Sequence, residues 1–323
     1  MRLFFIEWFK QHRRLISFSF LFVFITGYAY YIFKNREEIR HYLSLSPLNL
    51  IFLIISMLLL WATVSVNIKI LLNIFNIRLR FKEYFGLYVI TMMANYILPA
   101  KGGFIPMAVY LKTRHSFEYS KFLIFLLSFY IFTFFINCMV GIGLVFMNYF
   151  IKNELNLDIL LIFVLVLVFI ILLLSIVFGL NKKNLGSGFL GKAVAGFKVF
   201  VKKKKLLYSV AGIQAASIFF MSLKLLYAYR ALGIDIDIIS AALIGLIGAF
   251  SVIISITPAN LGVREFFVTI SSKMVGYTAT EGVMAAMLDR CIGLILTFIL
   301  GAIFSYILFG GFIWKKKASV EVS

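Results

Sequence analysis

Cysteine, proline and acidic side chains are all scarce in this 323-residue chain, and each scarcity closes off a class of protein. The two cysteines, Cys138 and Cys291, lie inside apolar segments, which excludes a disulfide framework or a cysteine metal cluster. His12, His41 and His115 are scattered without metal spacing, so neither a metal nor another cofactor is expected. Only 13 Asp and Glu stand against 32 Lys and Arg, for a formal charge of +19. A nucleic-acid binder would gather that charge on a folded basic face, whereas here it is spread over short loops between apolar runs. The expected partners are therefore anionic lipid headgroups and not nucleic acid.

What the chain has in abundance is apolar length. Hydrophobic residues make up 63% of it, and runs long enough to cross a hydrocarbon layer of roughly 30 Å recur throughout, leaving no room for a globular enzyme domain. Six runs read directly as spans: 15–33, 48–66, 122–150, 157–180, 207–229 and 291–313. The first follows a basic N-terminus, but it is too long for a signal peptide and lacks a small-residue cleavage site, so it is expected to be retained. Two more apolar regions, about 84–112 and 240–276, are interrupted near their middles by proline and glycine.

Lysine and arginine in the loops set the orientation. The N-terminus carries four, residues 67–82 four, residues 181–206 eight lysines and the C-terminus three, which assigns these segments to the cytoplasm. The loops 34–47, 151–156 and 230–239 carry three, one and one, which suits the opposite side. Threading the chain through these sides makes 84–112 enter and leave on the cytoplasmic face and 240–276 on the outer face. The order is then span, span, hairpin, span, repeated once with inverted topology. Pro99 and Pro258 stand 159 residues apart, as do the starts of the spans at 48 and 207. The expected fold is an all-α polytopic inner-membrane protein with six full spans plus two opposed broken, re-entrant helical hairpins arranged as an inverted repeat. It forms a single integral membrane domain over 1–323, with halves of approximately 1–155 and 156–314 and both termini cytoplasmic. The alternative is that both regions are ordinary kinked spans.

The breaks read Asn95-Tyr96-Ile97-Leu98-Pro99-Ala100-Lys101-Gly102-Gly103 and Thr257-Pro258-Ala259-Asn260-Leu261-Gly262-Val263-Arg264-Glu265. In each, proline stops one half-helix and glycine lets the next begin. A half-helix starting inside the membrane points unsatisfied N–H groups and about half a positive charge into it. Two such ends beside Lys101 and Arg264 make a site for an anion such as a phosphate. The binding candidates are Asn95, Pro99, Lys101, Gly102, Gly103, Pro258, Asn260, Gly262 and Arg264. A charge near the bilayer centre costs on the order of 3 kcal/mol, so Glu265, Asp289 and Arg290 should have partners and a purpose, namely charge balance or proton coupling. Arg264 and Glu265 point apart on a helix and are expected to pair with Asp289 and Arg290, an arrangement equally compatible with a purely structural ionic lock. Lys224 is expected to snorkel toward its span end.

The pairing of Asn-x-x-x-Pro-x-x-Gly-Gly at 95–103 with Pro-x-x-Leu-Gly-Val-Arg-Glu at 258–265, followed by an Arg near the last span, resembles the lysylphosphatidylglycerol synthase transmembrane region, a flippase-like family. The likeness in layout extends over nearly the whole chain. It implies a membrane region that moves or presents lipids, any aminoacyl transfer belonging to a separate soluble domain, which is not expected here. Phe104 and Ser128-Phe129-Tyr130 replace charged residues usual in the family, and Ala259-Asn260 replaces common glycines.

Other signals count for less. Asp235-Ile236-Asp237 matches a metal-holding pattern but is short and lies in a loop, where it serves solvation. Residues 189–205 form an amphipathic pattern with lysines opposite an apolar face, expected to lie on the cytoplasmic leaflet. Trp8, Tyr28, Tyr30, Tyr31 and Trp314 fit an aromatic belt. The expected function is a lipid flippase or lipid-transport protein holding an anionic, phosphate-bearing lipid between two broken hairpins, with no covalent catalysis implied. The competing readings are a membrane enzyme acting on a lipid-linked sugar, with Glu265 or Asp289 as acid or base, and a non-transporting scaffold for a partner lipid synthase. Protein partners left open are a second copy of the chain or such a synthase.

Overall fold

Leu98 precedes a proline and Gly262 takes a φ of +82°, and these two local facts set the architecture, because they end and restart helices within apolar sequence. The computed structural model describes residues 45–98, 102–153, 155–179, 204–254 and 257–320, with a few single positions between 26 and 42. The expected span at 15–33, the amphipathic segment at 189–205, Pro99 and Lys101 lie wholly or largely outside the described residues.

The elements in chain order are α1 (Pro47–Asn73), α2 (Phe81–Ile97), α3 (Phe104–His115), α4 (Tyr119–Lys152), α5 (Leu157–Gly179), α6 (Lys204–Ala231), α7 (Ile238–Phe250), α8 (Val263–Met274) and α9 (Ala279–Val320). Short 3₁₀ turns at Ser251–Ile254 and Pro258–Asn260 join α7 to α8. Among the described residues there is no strand. Five helical stretches are long and apolar enough to cross a membrane: Pro47–Asn73, Tyr119–Lys152, Leu157–Ser175, Leu207–Ala231 and Ala279–Gly310. The chain is an all-α polytopic membrane protein.

Both interrupted regions are helix–break–helix pairs, with α2 packed on α3 and α7 on α8. The contacts between helices are also paired. α1 lies along α6, α2 against α9, and α7 against α4. Leu207–Ala231 is the least apolar of the five stretches and has the largest buried share, whereas Leu157–Ser175 is the most apolar and the least buried. A helix facing lipid must be apolar all round, while a helix at the centre of a bundle can carry polar groups. α6 therefore sits centrally and α5 peripherally.

The last helix differs from expectation. It starts at Ala279, so Asp289 and Arg290 lie well inside it and not before a span at 291–313. A reciprocal cap explains the early start: Glu281 Oε2 accepts the Thr278 N–H at 2.7 Å, and Thr278 Oγ1 accepts the Glu281 N–H at 3.2 Å. The two charges can then ride inside the bundle because both find partners there.

Candidate functional site

The second break is held together by charge. Leading out of the 3₁₀ turn, Ala259 and Asn260 both adopt left-handed backbone, with φ of 46° and 57°, and Gly262 follows at 82°. For a residue with a Cβ such backbone costs about 1–2 kcal/mol, so something must hold it. Arg290, arriving from α9, does so: Nη1 donates to the Ala259 carbonyl at 2.9 Å and Nη2 reaches the Asn260 carbonyl at 3.5 Å. Its Nε donates to Glu265 Oε1 at 2.6 Å, while Glu265 Oε2 accepts the Gly262 N–H at 2.8 Å. One arginine thus ties together the turn, the first turn of α8 and α9. The face of Tyr96, from the first break, lies 5.9 Å from the guanidinium.

One helical position away, Asp289 Oδ2 accepts from two cations, Arg264 Nη2 at 2.5 Å and Lys224 Nζ at 2.9 Å. Asp289 is 2% exposed, and its Oδ1 is buried without a hydrogen-bond partner among the described residues. Lys224 does not snorkel as expected. It is buried on α6, because the face of the helix that carries it points to the bundle centre, where Asp289 offsets the cost of burying the ammonium. Lys224, Arg264 and Arg290 against Glu265 and Asp289 leave the cluster with one cation in excess.

The first break is held by amides. Leu98 is extended, as a residue before proline must be, and α3 begins after Gly103. Asn95 Oδ1 accepts the Gly103 N–H at 3.1 Å. A Cβ on Gly103 would stand 2.4 Å from the Asn95 side chain and from the Thr91 carbonyl, so only glycine fits. At each break one of the backbone donors that the sequence offers to an anion is therefore taken by the chain itself, through Asn95 or Glu265.

Both breaks face one cavity of about 380 Å³. Of the residues singled out in the sequence, Asn95, Asn260, Arg264, Asp289 and Arg290 line it. Glu265, Gly262, Pro258 and Gly103 shape the breaks from behind. Sequence reasoning passed over several lining groups. Asn137 and Gln214 are two, joined by a Gln214 Nε2 to Asn137 Oδ1 bond of 2.9 Å, with Asn67 Nδ2 donating to Gln214 Oε1 at 3.1 Å; Lys224, expected elsewhere, lines it as well. Thr91, Ser251, Asn260 and Thr297 also line it, each at most 6% exposed and each with a buried side-chain oxygen that has no partner among the described residues. A buried polar atom without a partner costs about 1–3 kcal/mol, so these groups make the cavity wall polar and able to hydrogen-bond.

Residues 13–301 match the family model described as the lysylphosphatidylglycerol synthase TM region. The chain belongs to that family. No curated protein and no solved structure matches it. The family match covers both breaks and the whole charged cluster, and the departures from its pattern take on a structural meaning. Ala259 and Asn260 stand where glycines are common, at positions whose backbone is left-handed. Phe104 packs edge-on against Tyr130 with ring centroids 6.2 Å apart, and against Phe122. Asp235 and Asp237, whose spacing suggested a metal, are engaged otherwise: Asp237 caps α7 and accepts from Lys152 at 2.7 Å, and Asp235 lies 3.7 Å from Arg230.

Proposed function

We propose that this protein is a membrane lipid flippase or lipid-transport protein of the inner membrane that binds the phosphate-bearing head of an anionic lipid in the central cavity. The observation that carries the reading is the placement of an excess cation in that cavity, with Arg264 partly exposed to it and Lys224 behind. An arginine in low dielectric surroundings binds phosphate through charge-assisted hydrogen bonds, which are about twice as strong as neutral ones. Asp289 balances the charge of the two cations that it holds.

In this reading α2–α3 and α7–α8 are re-entrant hairpins from opposite faces, and the halves near 1–155 and 156–314 form an inverted repeat with cytoplasmic termini. The paired packing of α2 on α9 and α7 on α4 supports that symmetry. Inverted repeats with broken helices at the midplane are a recurrent transporter design. Single cysteines at Lys112 and Asp237, in a Cys138→Ser, Cys291→Ser background, should label only from the cytoplasm and only from outside respectively. Labelling of position 112 from outside would turn the first hairpin into a span and remove the symmetry.

The functional test is reconstitution of the full chain in vesicles with a fluorescent phosphatidylglycerol, followed by chemical quenching of the outer leaflet. The protein should raise the rate of leaflet exchange above that of empty vesicles. Arg264→Gln should lower it roughly ten- to a hundredfold, the worth of one charged hydrogen bond. Exchange no faster than in empty vesicles, or unaffected by Arg264→Gln, would refute the proposal.

A further inference from the structure

The charged cluster occupies only one end of the cavity. Lys224 and Gln214 both line it from α6, ten residues apart, which at 1.5 Å per residue separates them by about 15 Å along the helix. At the Gln214 end the chemistry changes. Asn67, Gln214 and Asn137 form a chain of amides contributed by α1, α6 and α4, and all three are at most 7% exposed. Within that chain Asn137 uses its oxygen on Gln214, while the Asn67 Oδ1 is buried without a partner among the described residues. Ser217 and Thr133 line the cavity nearby. Among the described residues no carboxylate lines this end, and the one carboxylate in the cavity wall, Asp289, is already held by Lys224 and Arg264.

A bare phosphate leaves most of this space unused. The cavity of about 380 Å³ has room for on the order of a dozen waters. Amides and hydroxyls buried in a membrane protein interior are costly unless paired, and each both donates and accepts. Gln214 spends its oxygen on Asn67 and one N–H on Asn137, and Ser217 donates to the Ile213 carbonyl, so what this end offers a guest is the remaining amide N–H and hydroxyl oxygen, neutral groups that suit hydroxyls. An ammonium would need a free carboxylate that this end lacks.

We infer that the ligand's polar head is bipartite: a phosphate at the Arg264 end, continued by an uncharged, hydroxyl-bearing extension the size of a sugar or polyol ring that reaches the Gln214–Asn137 amides. This rests on the proposed lipid-binding reading and deepens it, making Gln214 and Asn137 the residues that select among anionic lipids.

The test is a head-group series on the purified full chain in detergent. A fluorescent phosphatidic acid is displaced by unlabelled phosphatidic acid, phosphatidylglycerol, phosphatidylinositol or phosphatidylethanolamine. Phosphatidylinositol, with phosphate and a hydroxylated ring, should compete at about tenfold lower concentration than phosphatidic acid, with phosphatidylglycerol between them. Gln214→Leu should bring phosphatidylinositol to the level of phosphatidic acid. Should that variant fail to fold, Asn137→Ser removes the other amide and should collapse the same preference. Equal competition by all the anionic lipids, or phosphatidylethanolamine matching phosphatidylinositol, overturns the bipartite head while leaving the anionic-lipid reading in place. If the fluorescent lipid does not bind at all, both fall together.

Discussion

The two breaks solve the same problem, stopping and restarting a helix inside apolar surroundings, with opposite chemistry. At the first, a neutral amide from Asn95 holds Gly103, and the neighbouring space is filled by rings, Phe104 against Tyr130. At the second, Arg290 and Glu265 hold the turn, and Arg264 meets Asp289. Tyr130 stands 159 residues before Asp289, the same interval that separates Pro99 from Pro258. Displaced by the same interval Phe104 falls on Val263, the neighbour of Arg264, so an aromatic contact in the first region stands close to where the second has an ion pair. The comparison teaches that breaking and restarting a helix does not itself require charge. An amide and aromatic packing hold the first break, whereas the second is tied by buried ions that cost desolvation.

The largest effect should come from cutting the ionic tie. Arg290→Met leaves Glu265 buried and unpaired and frees the Ala259 and Asn260 carbonyls, for an expected loss of about 3–5 kcal/mol in detergent unfolding. Pairing it with Glu265→Gln should recover much of that loss, because the stranded charge is gone. If the double variant is no better than the single one, the pair is not what holds the break. In the first half the corresponding injury is steric. Gly103→Ala forces a Cβ against Asn95 and the Thr91 carbonyl, and overpacking of this kind costs about 1–3 kcal/mol. Gly143→Ala, where nothing stands within 4 Å, is the control and should be neutral in the same unfolding measurement. A smaller effect of opposite sign is expected at Ala259. Replacing it by glycine relieves left-handed backbone and should stabilise the protein by about 1 kcal/mol, read as a raised unfolding midpoint.

Much of this architecture was legible because membrane proteins obey few and strict rules. Apolar length located α1, α4, α5 and α6, and proline with glycine located both breaks. The cost of buried charge pointed to Arg264, Glu265, Asp289 and Arg290. What escaped had physical reasons too. Lys224 was assigned by its distance from a span end, but distance along a helix says nothing of which face points inward. Asn137 and Gln214 carry no charge and so stand out less in an apolar run, although buried amides are also costly. The start of α9 was misplaced by following hydropathy past the cap at Thr278-Ala279-Thr280-Glu281, a helix-start signal readable in the sequence. The chemistry of the first break, an amide on glycine, could not be read from sequence, since it depends on Asn95 and Gly103 meeting across a turn.

The smallest prediction separates cap from charge outside the breaks, where α7 begins. Asp237 Oδ1 accepts the N–H groups of Ile239 and Ser240 at 3.0 and 2.9 Å, while Oδ2 takes Lys152 at 2.7 Å. Partial burial works against its charged form, but the hydrogen bonds from Lys152 and Ser240 outweigh that and hold the carboxyl below its ordinary value. Asparagine caps a helix as well as aspartate does, so Asp237→Asn keeps the backbone cap and removes the ion pair, with the Ser240 hydroxyl free to turn and accept from the new amide. That pair is more than a third exposed and screened by solvent, so the loss should be a few tenths of a kcal/mol and should shrink with added salt. Because the folded carboxyl titrates below the unfolded one, its contribution is complete above the ordinary carboxylate range and disappears as pH falls through the lowered value. The gap between wild type and Asp237→Asn should therefore be constant near neutrality and close in acid. Asp237→Ala should show a larger gap, about 1 kcal/mol more, that persists in acid, because the cap is lost as well. A gap for Asp237→Asn that is unaffected by both salt and acid would mean that the contact with Lys152 contributes through packing alone.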